Sequence, residues 1–216
     1  MIAYLQDVAV LTRKDLLLEL RSRETVPAML LFVVAALVIF HFAVPEDLEP
    51  GTEEVVAKGL LWIAVLFTAL LGLGRAFASE REQGVLDGLV LAPADRSAIW
   101  LSKSLSVIAF LLLMEAVALP AFALFYTTVD GPTVAAVLLA DIGIACVGSL
   151  LSAMALASKT RELILPLLFL PLAVPIIVAG VGASIDDPGR FLGFLGLYDA
   201  IFAIISWAAF DYVVVE

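Results

Sequence analysis

Six long apolar runs dominate this sequence and constrain its fold more than any other feature. A helix needs about 17–25 residues to cross the roughly 30 Å hydrocarbon core of a bilayer, and each run reaches that length. Since a chain in lipid must satisfy its own backbone hydrogen bonds, runs of this kind form helices. The predicted spans are residues 26–44, 57–77, 99–126, 133–156, 163–184 and 194–215.

Composition agrees with a membrane protein. Hydrophobic residues make up 63% of the 216 residues and charged residues only 16%, and the mean hydropathy is +1.11. Soluble domains are roughly 45–50% apolar. The short connections predict one all-α transmembrane domain over residues 1–216. The single cysteine, Cys146, allows no internal disulfide and is expected to be a small buried side chain.

Lysine and arginine are distributed unequally between the two sets of connections. With the N-terminus inside, only Lys58 and Arg190 of the 12 basic residues fall outside. The positive-inside rule therefore predicts both termini, residues 79–98 and residues 158–162 in the cytoplasm. The ten basic residues on that side are Arg13, Lys14, Arg21, Arg23, Arg75, Arg81, Arg96, Lys103, Lys159 and Arg161.

Residues 1–25 are predicted to form a cytoplasmic helix that lies against the membrane. Leu5, Val8, Leu16 and Leu20 fall on a roughly common helical face. Charges of both signs and the long apolar run that follows argue against a signal peptide. The first 25 residues are therefore assigned to an interfacial helix.

Polar and aromatic residues mark the ends of several spans. Asp95 and Asp187 are predicted to cap the starts of the third and sixth spans, because aspartate is a favoured N-cap. Asp130, with Gly131 and Pro132, is predicted to turn the chain before the fourth span. Trp62 is predicted to lie in an aromatic belt at the outer membrane surface, with Tyr126, and Trp100 at the inner surface. The only histidine, His41, is expected to be interfacial, and no metal site is predicted.

Two acidic residues interrupt the apolar runs. Glu115 in the third span and Asp141 in the fourth lie roughly 12–16 Å below the outer surface, counted at about 1.5 Å per residue. The two side chains are therefore placed to face each other. An ionised carboxylate at this depth is unfavourable, so each group must be protonated, paired or in contact with water. A polar transport path and a static buried contact remain alternatives.

The fifth span contains three prolines, Pro166, Pro171 and Pro175. Each proline removes a backbone donor and is expected to kink or break the helix. The span is interpreted either as a helix that deforms during a transport cycle or as a static kinked packing element.

Residues 79–93, SEREQGVLDGLVLAP, form a charged insert between the second and third spans. From Val85 onward, apolar residues fall at i, i+1, i+4 and i+5, which is one face of a helix, and Pro93 ends the pattern. A short helix on the membrane surface is predicted. It is either a docking surface for a soluble partner or a connector without one.

Sequence motifs of enzymes are missing from this chain. The printed sequence contains no G-x-x-x-x-G-K-[ST] motif, so we do not expect it to bind ATP itself. His41 has no partner with which to form a catalytic constellation. A non-catalytic protein is therefore expected.

The segment EREQGVLDGLVLAP resembles the cytoplasmic coupling helix of type-2 ABC exporter permeases. Three other stretches are similar to one branch of that superfamily, haem exporter protein B (CcmB): KDLLLELRSRE at residues 14–24, SKSLS at residues 102–106 and LPLAVPIIVAG at residues 170–180. The resemblance covers nearly the whole chain. It implies that a partner ATPase is contacted by Glu80, Arg81, Glu82, Gly84, Leu86, Asp87, Leu89 and Pro93.

The resemblance also implies a biological role. Such a subunit is a multi-pass protein of the bacterial inner membrane that acts in c-type cytochrome biogenesis and is expected to form a homodimer. Its expected partners are a cytoplasmic ABC ATPase, haem-handling membrane subunits and a periplasmic haem chaperone. ATP would bind to the partner ATPase and haem would be handled by the complex, with no cofactor on this chain. ATP hydrolysis would drive release of the haem-loaded chaperone, or haem export.

Two other functions remain open at this point. One is a generic ABC exporter permease for a lipid, drug or polysaccharide. The other, from a different class, is an ion or proton carrier that uses Glu115 and Asp141.

Overall fold

The computed structural model describes residues 2–22, 24–45, 48–49, 51–77, 95–156 and 161–213. These residues form seven helices, and no strand occurs among them. Six of the helices, α2 to α7, are long and apolar enough to span a membrane, which confirms the predicted all-α polytopic fold. The helices are α1 Ile2–Ser22, α2 Thr25–Ala43, α3 Thr52–Arg75, α4 Arg96–Phe125, α5 Gly131–Leu156, α6 Arg161–Ile185 and α7 Pro188–Val213.

Three aspartates begin helices: Asp95 and Asp187, as predicted from the sequence, and Asp130, which was predicted only to turn the chain. In each case a carboxylate oxygen accepts a backbone N–H from the first turn, which is one of the donors that a helix start leaves without a partner. The donors are Ser97 to Asp95 at 2.9 Å, Thr133 to Asp130 at 2.8 Å and Arg190 to Asp187 at 3.3 Å.

Helix α5 occupies the centre of the bundle and packs against α3, α4, α6 and α7. Close approach to α3 depends on a small residue at Gly148, where a Cβ atom would lie 2.4 Å from the side chain of Leu73. One turn further on, the hydroxyl of Ser152 donates to the carbonyl of Leu73 at 3.0 Å. Small side chains thus bring two spans together where lipid provides no hydrophobic drive for helix association.

The two ends of the bundle differ in charge. We call the end that carries α1 and the start of α4 the basic end, and the end that carries the start of α3 and the α4–α5 connection the acidic end. The described charged residues at the basic end include the cations Arg13, Lys14, Arg21, Arg75, Arg96 and Lys103, together with the acidic residues Asp7, Asp15, Glu19, Glu24, Asp95 and Asp211. Those at the acidic end include Glu49, Glu53, Glu54, Asp130, Asp186 and Asp187.

The predicted aromatic belt is wrong for both tryptophans in it. Trp62 has no exposed surface and Trp100 is 5% exposed. The indole of Trp62 packs over Gly180, whose missing side chain leaves room for the ring, and its N–H donates to Ser184 at 3.3 Å. The indole N–H of Trp100 donates to the carbonyl of Cys146 at 3.2 Å. Internal partners satisfy both N–H groups, so neither ring needs the membrane interface.

Candidate functional site

The predicted ATPase-coupling residues lie outside the described residues, which stop at Phe77 and resume at Asp95. This gap contains the coupling residues Glu80, Arg81, Glu82, Gly84, Leu86, Asp87, Leu89 and Pro93. The structure does describe the two points at which residues 78–94 join the bundle. The described part of the candidate coupling site therefore consists of these two junctions, Phe77 and Asp95, and their contacts.

The first junction, Phe77, is anchored in a buried cluster. Phe77 is 2% exposed, and the ammonium group of Lys103 lies 4.8 Å from the centre of its ring. A cation over an aromatic face is an attractive contact, and it strengthens when water is excluded. The cluster is formed by Phe77, Ile99, Trp100, Cys146, Ala153 and Phe210, and it connects α4, α5 and α7 to the end of α3.

The second junction, Asp95, connects to α1. Besides accepting the backbone N–H of Ser97, Asp95 accepts the Ser97 hydroxyl at 2.8 Å. The same hydroxyl lies 3.2 Å from the hydroxyl of Tyr4 on α1. Phe77 therefore contacts α4 through Lys103, and Asp95 is linked to α1 through the hydroxyl of Ser97.

Helix α1 is attached to α4 by a buried ion pair that the sequence reading did not identify. The ammonium group of Lys103 lies 3.0 Å from Asp15, which also lies 3.0 Å from the ammonium group of Lys14. Asp15 and Lys103 are 7% and 3% exposed. Both residues fall within stretches that were noted for resemblance, but their pairing depends on how α1 crosses α4, which local sequence does not show.

Glu115 on α4 and Asp141 on α5 lie side by side, as their similar predicted depths on consecutive spans indicated. Their carboxyl groups are within hydrogen-bonding reach of each other, and they are 3% and 0% exposed. Among the described residues, no N–H or hydroxyl group donates to either oxygen of Asp141. If the pair shares one proton, one carboxyl donates and the other accepts, and no separate cation is needed.

A third intramembrane carboxyl, Asp199 on α7, was missed. It is 5% exposed, and a Cβ atom at Gly143 on α5 would lie 2.5 Å from its Oδ1 atom. Gly143 thus provides the space into which this carboxyl fits. An acidic residue within an apolar run, the signal that identified Glu115, would also have identified Asp199.

The three prolines of the fifth span do not break it. Helix α6 runs from Arg161 to Ile185 and includes Pro166, Pro171 and Pro175. The predicted alternatives, a deforming helix and a static packing element, both accommodate a continuous helix. A role for the prolines in movement therefore stays a prediction.

At the acidic end, Lys58 holds three elements together. The sequence predicted only that Lys58 lies on the outer side of the membrane, and the residue is 5% exposed. Its ammonium group lies 2.8 Å from Glu54 and 3.6 Å from Asp130, and it donates to the carbonyl of Ser184. The start of α3, the α4–α5 connection and the end of α6 therefore meet at one cation. Lys58 is buried and paired, as a buried charge requires, whereas the side chains of Glu54 and Asp130 are 54% and 47% exposed.

This arrangement lowers the pKa of the Asp130 carboxyl. Partial burial raises its pKa, but hydrogen bonding from Thr133 and the charge of Lys58 together outweigh burial and hold the pKa below its ordinary value. The ionised form of Asp130 is thus the form that the acidic end stabilises.

His41 is exposed and lies among aromatic rings. Its ring centre is 5.4 Å from that of Phe125 and 5.6 Å from that of Tyr126. Within the part of the chain that the structure describes, no group of three His, Cys, Asp or Glu side chains could hold a metal ion.

The fold and these sites define an all-helical polytopic membrane protein with a helix docked at its basic end. A family model described as "CcmB protein" matches residues 6–210, and the chain belongs to this family. Proteins named heme exporter protein B are similar to it. That of Paracoccus denitrificans is 33% identical over 171 residues, 74% of this chain and 78% of the relative. That of Rhodobacter capsulatus is 31% identical over 185 residues, which cover 77% of this chain and 81% of the relative. That of Pseudomonas aeruginosa is 29% identical over 177 residues, which cover 81% of this chain and 78% of the relative.

Proposed function

We propose that this chain is the permease subunit of an ABC transporter complex that delivers haem for c-type cytochrome biogenesis in the bacterial inner membrane. The observation that carries this proposal is the match of the CcmB family to residues 6–210. Six apolar helices of membrane-spanning length and relatives named heme exporter protein B support it. The permease is non-catalytic, forms a homodimer in the complex, and has both termini in the cytoplasm.

A partner ATPase supplies the energy and docks on residues 79–93. This segment resembles the coupling helix of type-2 ABC exporter permeases. Support from the structure is indirect: Phe77 and Asp95, which flank residues 78–94, are both held by buried or hydrogen-bonded contacts at the basic end. A displacement of the segment would then be passed on to α3 and α4 as a rigid-body movement.

Substitutions within the segment test the docking. Gly84→Leu blocks close backbone approach, and Glu82→Lys reverses a charged anchor. Each is expected to abolish co-purification of the ATPase, or its coupling, while membrane insertion stays normal. Gly59→Leu and Glu53→Lys are matched controls at the acidic end, since a Cβ atom at Gly59 meets nothing within 4 Å and Glu53 is exposed. Normal coupling in both segment variants would contradict ATPase docking at this site.

The haem pathway is tested separately by deleting the gene. We expect periplasmic c-type cytochromes to lose covalently bound haem while b-type haem proteins stay normal. Haem trapped on the periplasmic chaperone would indicate that the permease drives chaperone release, whereas an empty chaperone would indicate haem export. Normal c-type cytochromes in the deletion strain would contradict the proposal and favour a generic exporter.

A further inference from the structure

A crevice runs along the basic half of α3, between α2 and α6. Both of these helices pack against α3, and the space between them has a volume of about 410 Å³. Phe32 on α2, Phe67 and Leu71 on α3, and Pro166 on α6 line it. Among the described residues of its lining, Arg75 is the only charged one. We call this space the α3 crevice.

The α3 crevice opens sideways toward the surrounding bilayer. Phe32, Phe67 and Leu71 are 37%, 43% and 42% exposed, and all three belong to helices of membrane-spanning length. Leu165, which also lines the crevice, is 3% exposed and therefore forms part of its inner wall. An apolar ligand can thus enter the crevice directly from the membrane.

The α3 crevice lies in one leaflet only. Phe67 precedes Arg75 by eight residues, about 12 Å along the helix, and one leaflet contributes roughly 15 Å to the hydrocarbon core. Toward the acidic end, α3 and α6 are closed against each other. There the indole of Trp62 is fully buried over Gly180, and its N–H donates to Ser184. The crevice is therefore blind and opens in the leaflet at the basic end.

Two opposite charges lie side by side at the headgroup end of the crevice. The Nε atom of Arg75 donates to the hydroxyl of Thr25 at 3.4 Å, and its Nη2 atom donates to the carboxylate of Glu24. A guanidinium group has five N–H donors, which is more than these two acceptors occupy. The side chain of Glu24 is 63% exposed. A headgroup that carries both a phosphate and an ammonium group is complementary to this pair.

We propose that the α3 crevice binds one phosphatidylethanolamine molecule from the leaflet at the basic end. An acyl chain fills the crevice, because an empty space of this size would forfeit packing contacts. The phosphate contacts Arg75 and the ammonium group contacts Glu24. This inference does not depend on the ATPase or on haem, so it stands or fails separately from the proposed function.

The charge pair favours this lipid over two others of similar shape. Phosphatidylglycerol has the phosphate but no ammonium group, so Glu24 would repel its net negative charge. Phosphatidylcholine has a quaternary ammonium group without an N–H, so it cannot donate a hydrogen bond to the carboxylate of Glu24. Selectivity for the headgroup thus separates a built site from ordinary contact with the bilayer.

Native mass spectrometry of the full-length chain tests the site. The chain is equilibrated with equal amounts of phosphatidylethanolamine, phosphatidylglycerol and phosphatidylcholine that have identical acyl chains, and retained lipid is identified by its mass. We expect one retained phosphatidylethanolamine per chain, in excess over the other two lipids. Glu24→Gln should lower the ratio of phosphatidylethanolamine to phosphatidylglycerol about two- to fivefold, which is the contribution of an exposed ion pair.

Two substitutions on α3 fill the crevice. Gly74→Leu adds a side chain where a Cβ atom meets nothing within 4 Å, and Leu71→Trp enlarges a lining side chain. Each should reduce retained phosphatidylethanolamine to the level of non-specifically bound lipid. Gly59→Leu and Ile63→Trp are matched controls on the same helix, because neither residue lines the crevice. Gly59 is equally unobstructed, and Ile63 is 42% exposed, as Leu71 is.

Several outcomes would overturn the proposal. No retained lipid on the wild type, or equal retention of the three lipids, would do so, as would unchanged retention in Gly74→Leu and Leu71→Trp. If these variants instead separate two copies of the chain while retained lipid persists, the crevice is a protein interface and the proposal fails. Thermal unfolding identifies the filling variant whose stability matches that of its control, and retention is compared within that pair.

Discussion

The ammonium group of Lys103 lies 3.0 Å from a carboxylate oxygen of Asp15, and both side chains are buried. This contact joins the N-terminal helix to the start of α4. The same ammonium group lies over the ring of Phe77, the last described residue before residues 78–94. One buried cation thus connects α1, α3 and α4 at the place where the proposed coupling segment enters the bundle.

Removal of either partner of the ion pair should destabilise the fold, because it leaves the other charge buried, and the two losses should be unequal. Asp15→Asn removes the carboxylate that two ammonium groups share, and we expect a loss of about 3–5 kcal/mol in the free energy of unfolding. Lys103→Met should be less destabilising, because Lys14 still lies 3.0 Å from Asp15. Thermal unfolding of the purified variants in detergent measures both effects.

A double variant provides the control for this pair. If the two side chains act through each other, Asp15→Asn combined with Lys103→Met should lose less stability than the sum of the single variants. Additive losses would contradict a direct interaction between them.

Gly180 is expected to tolerate no side chain. A Cβ atom there would lie 2.3 Å from the ring of Trp62, which is rigid and fully buried. We expect Gly180→Ala to lower stability by about 1–3 kcal/mol through overpacking. At Gly59, where a Cβ atom meets nothing within 4 Å, alanine should instead stabilise the helix by up to about 1 kcal/mol. Equal effects in thermal unfolding would contradict the close packing of α3 and α6.

The acidic end should lose stability at low pH through Asp130. Because its pKa in the folded protein lies below the ordinary value of 3.8, the folded state favours the ionised form. The contribution is complete above that ordinary value and is lost as pH falls through the lower folded pKa. The difference in melting temperature between the wild type and Asp130→Asn should therefore be positive near neutral pH and shrink below about pH 4. A difference that grows as pH falls would contradict the sign of the shift.

The spans were predictable from the sequence because lipid imposes one rule on the whole length of a helix. Apolar run length predicted α2 to α7, and single aspartates predicted the starts of α4 and α7. The facing of Glu115 and Asp141 was also predictable, since depth follows from a simple count along two consecutive helices.

Contacts that depend on how helices cross were not predictable. Tryptophan is a residue type that is typical of an aromatic belt. The burial of Trp62, however, depends on Gly180, which lies more than a hundred positions later in the chain. Lys58 and Lys103 were assigned only to a side of the membrane, because their partners, Asp130 and Asp15, lie on other elements and the sequence does not reveal the pairing. Sequence periodicity reports the face of one helix at a time, so it does not reveal which second helix covers that face.

The orientation of the bundle is open to direct test. The ten-to-two distribution of Lys and Arg predicts that the basic end is cytoplasmic. Cysteine introduced at Ser79 or Lys159 should be protected from an impermeant thiol reagent in intact cells, and cysteine at Glu49 or Asp186 should be labelled. Native Cys146 is buried and provides a low background. The reverse labelling pattern would overturn the orientation.

Glu115 and Asp141 distinguish a permease from an ion or proton carrier. A glutamine at position 115 keeps the shape of the side chain and donates to Asp141 from its amide, so Glu115→Gln should preserve the contact between α4 and α5. Glu115→Ala leaves a buried carboxyl without its partner and should cost about 1–3 kcal/mol in stability.

The amide variants also test the transport mechanism. An amide does not take up or release protons near neutral pH, so a carrier that depends on these carboxyls would lose transport in Glu115→Gln and in Asp141→Asn. We expect both amide variants to support covalent haem attachment to c-type cytochromes at the wild-type level, because energy in the proposed complex comes from the ATPase. Loss of attachment in both amide variants, with normal thermal stability and normal ATPase co-purification, would favour the carrier.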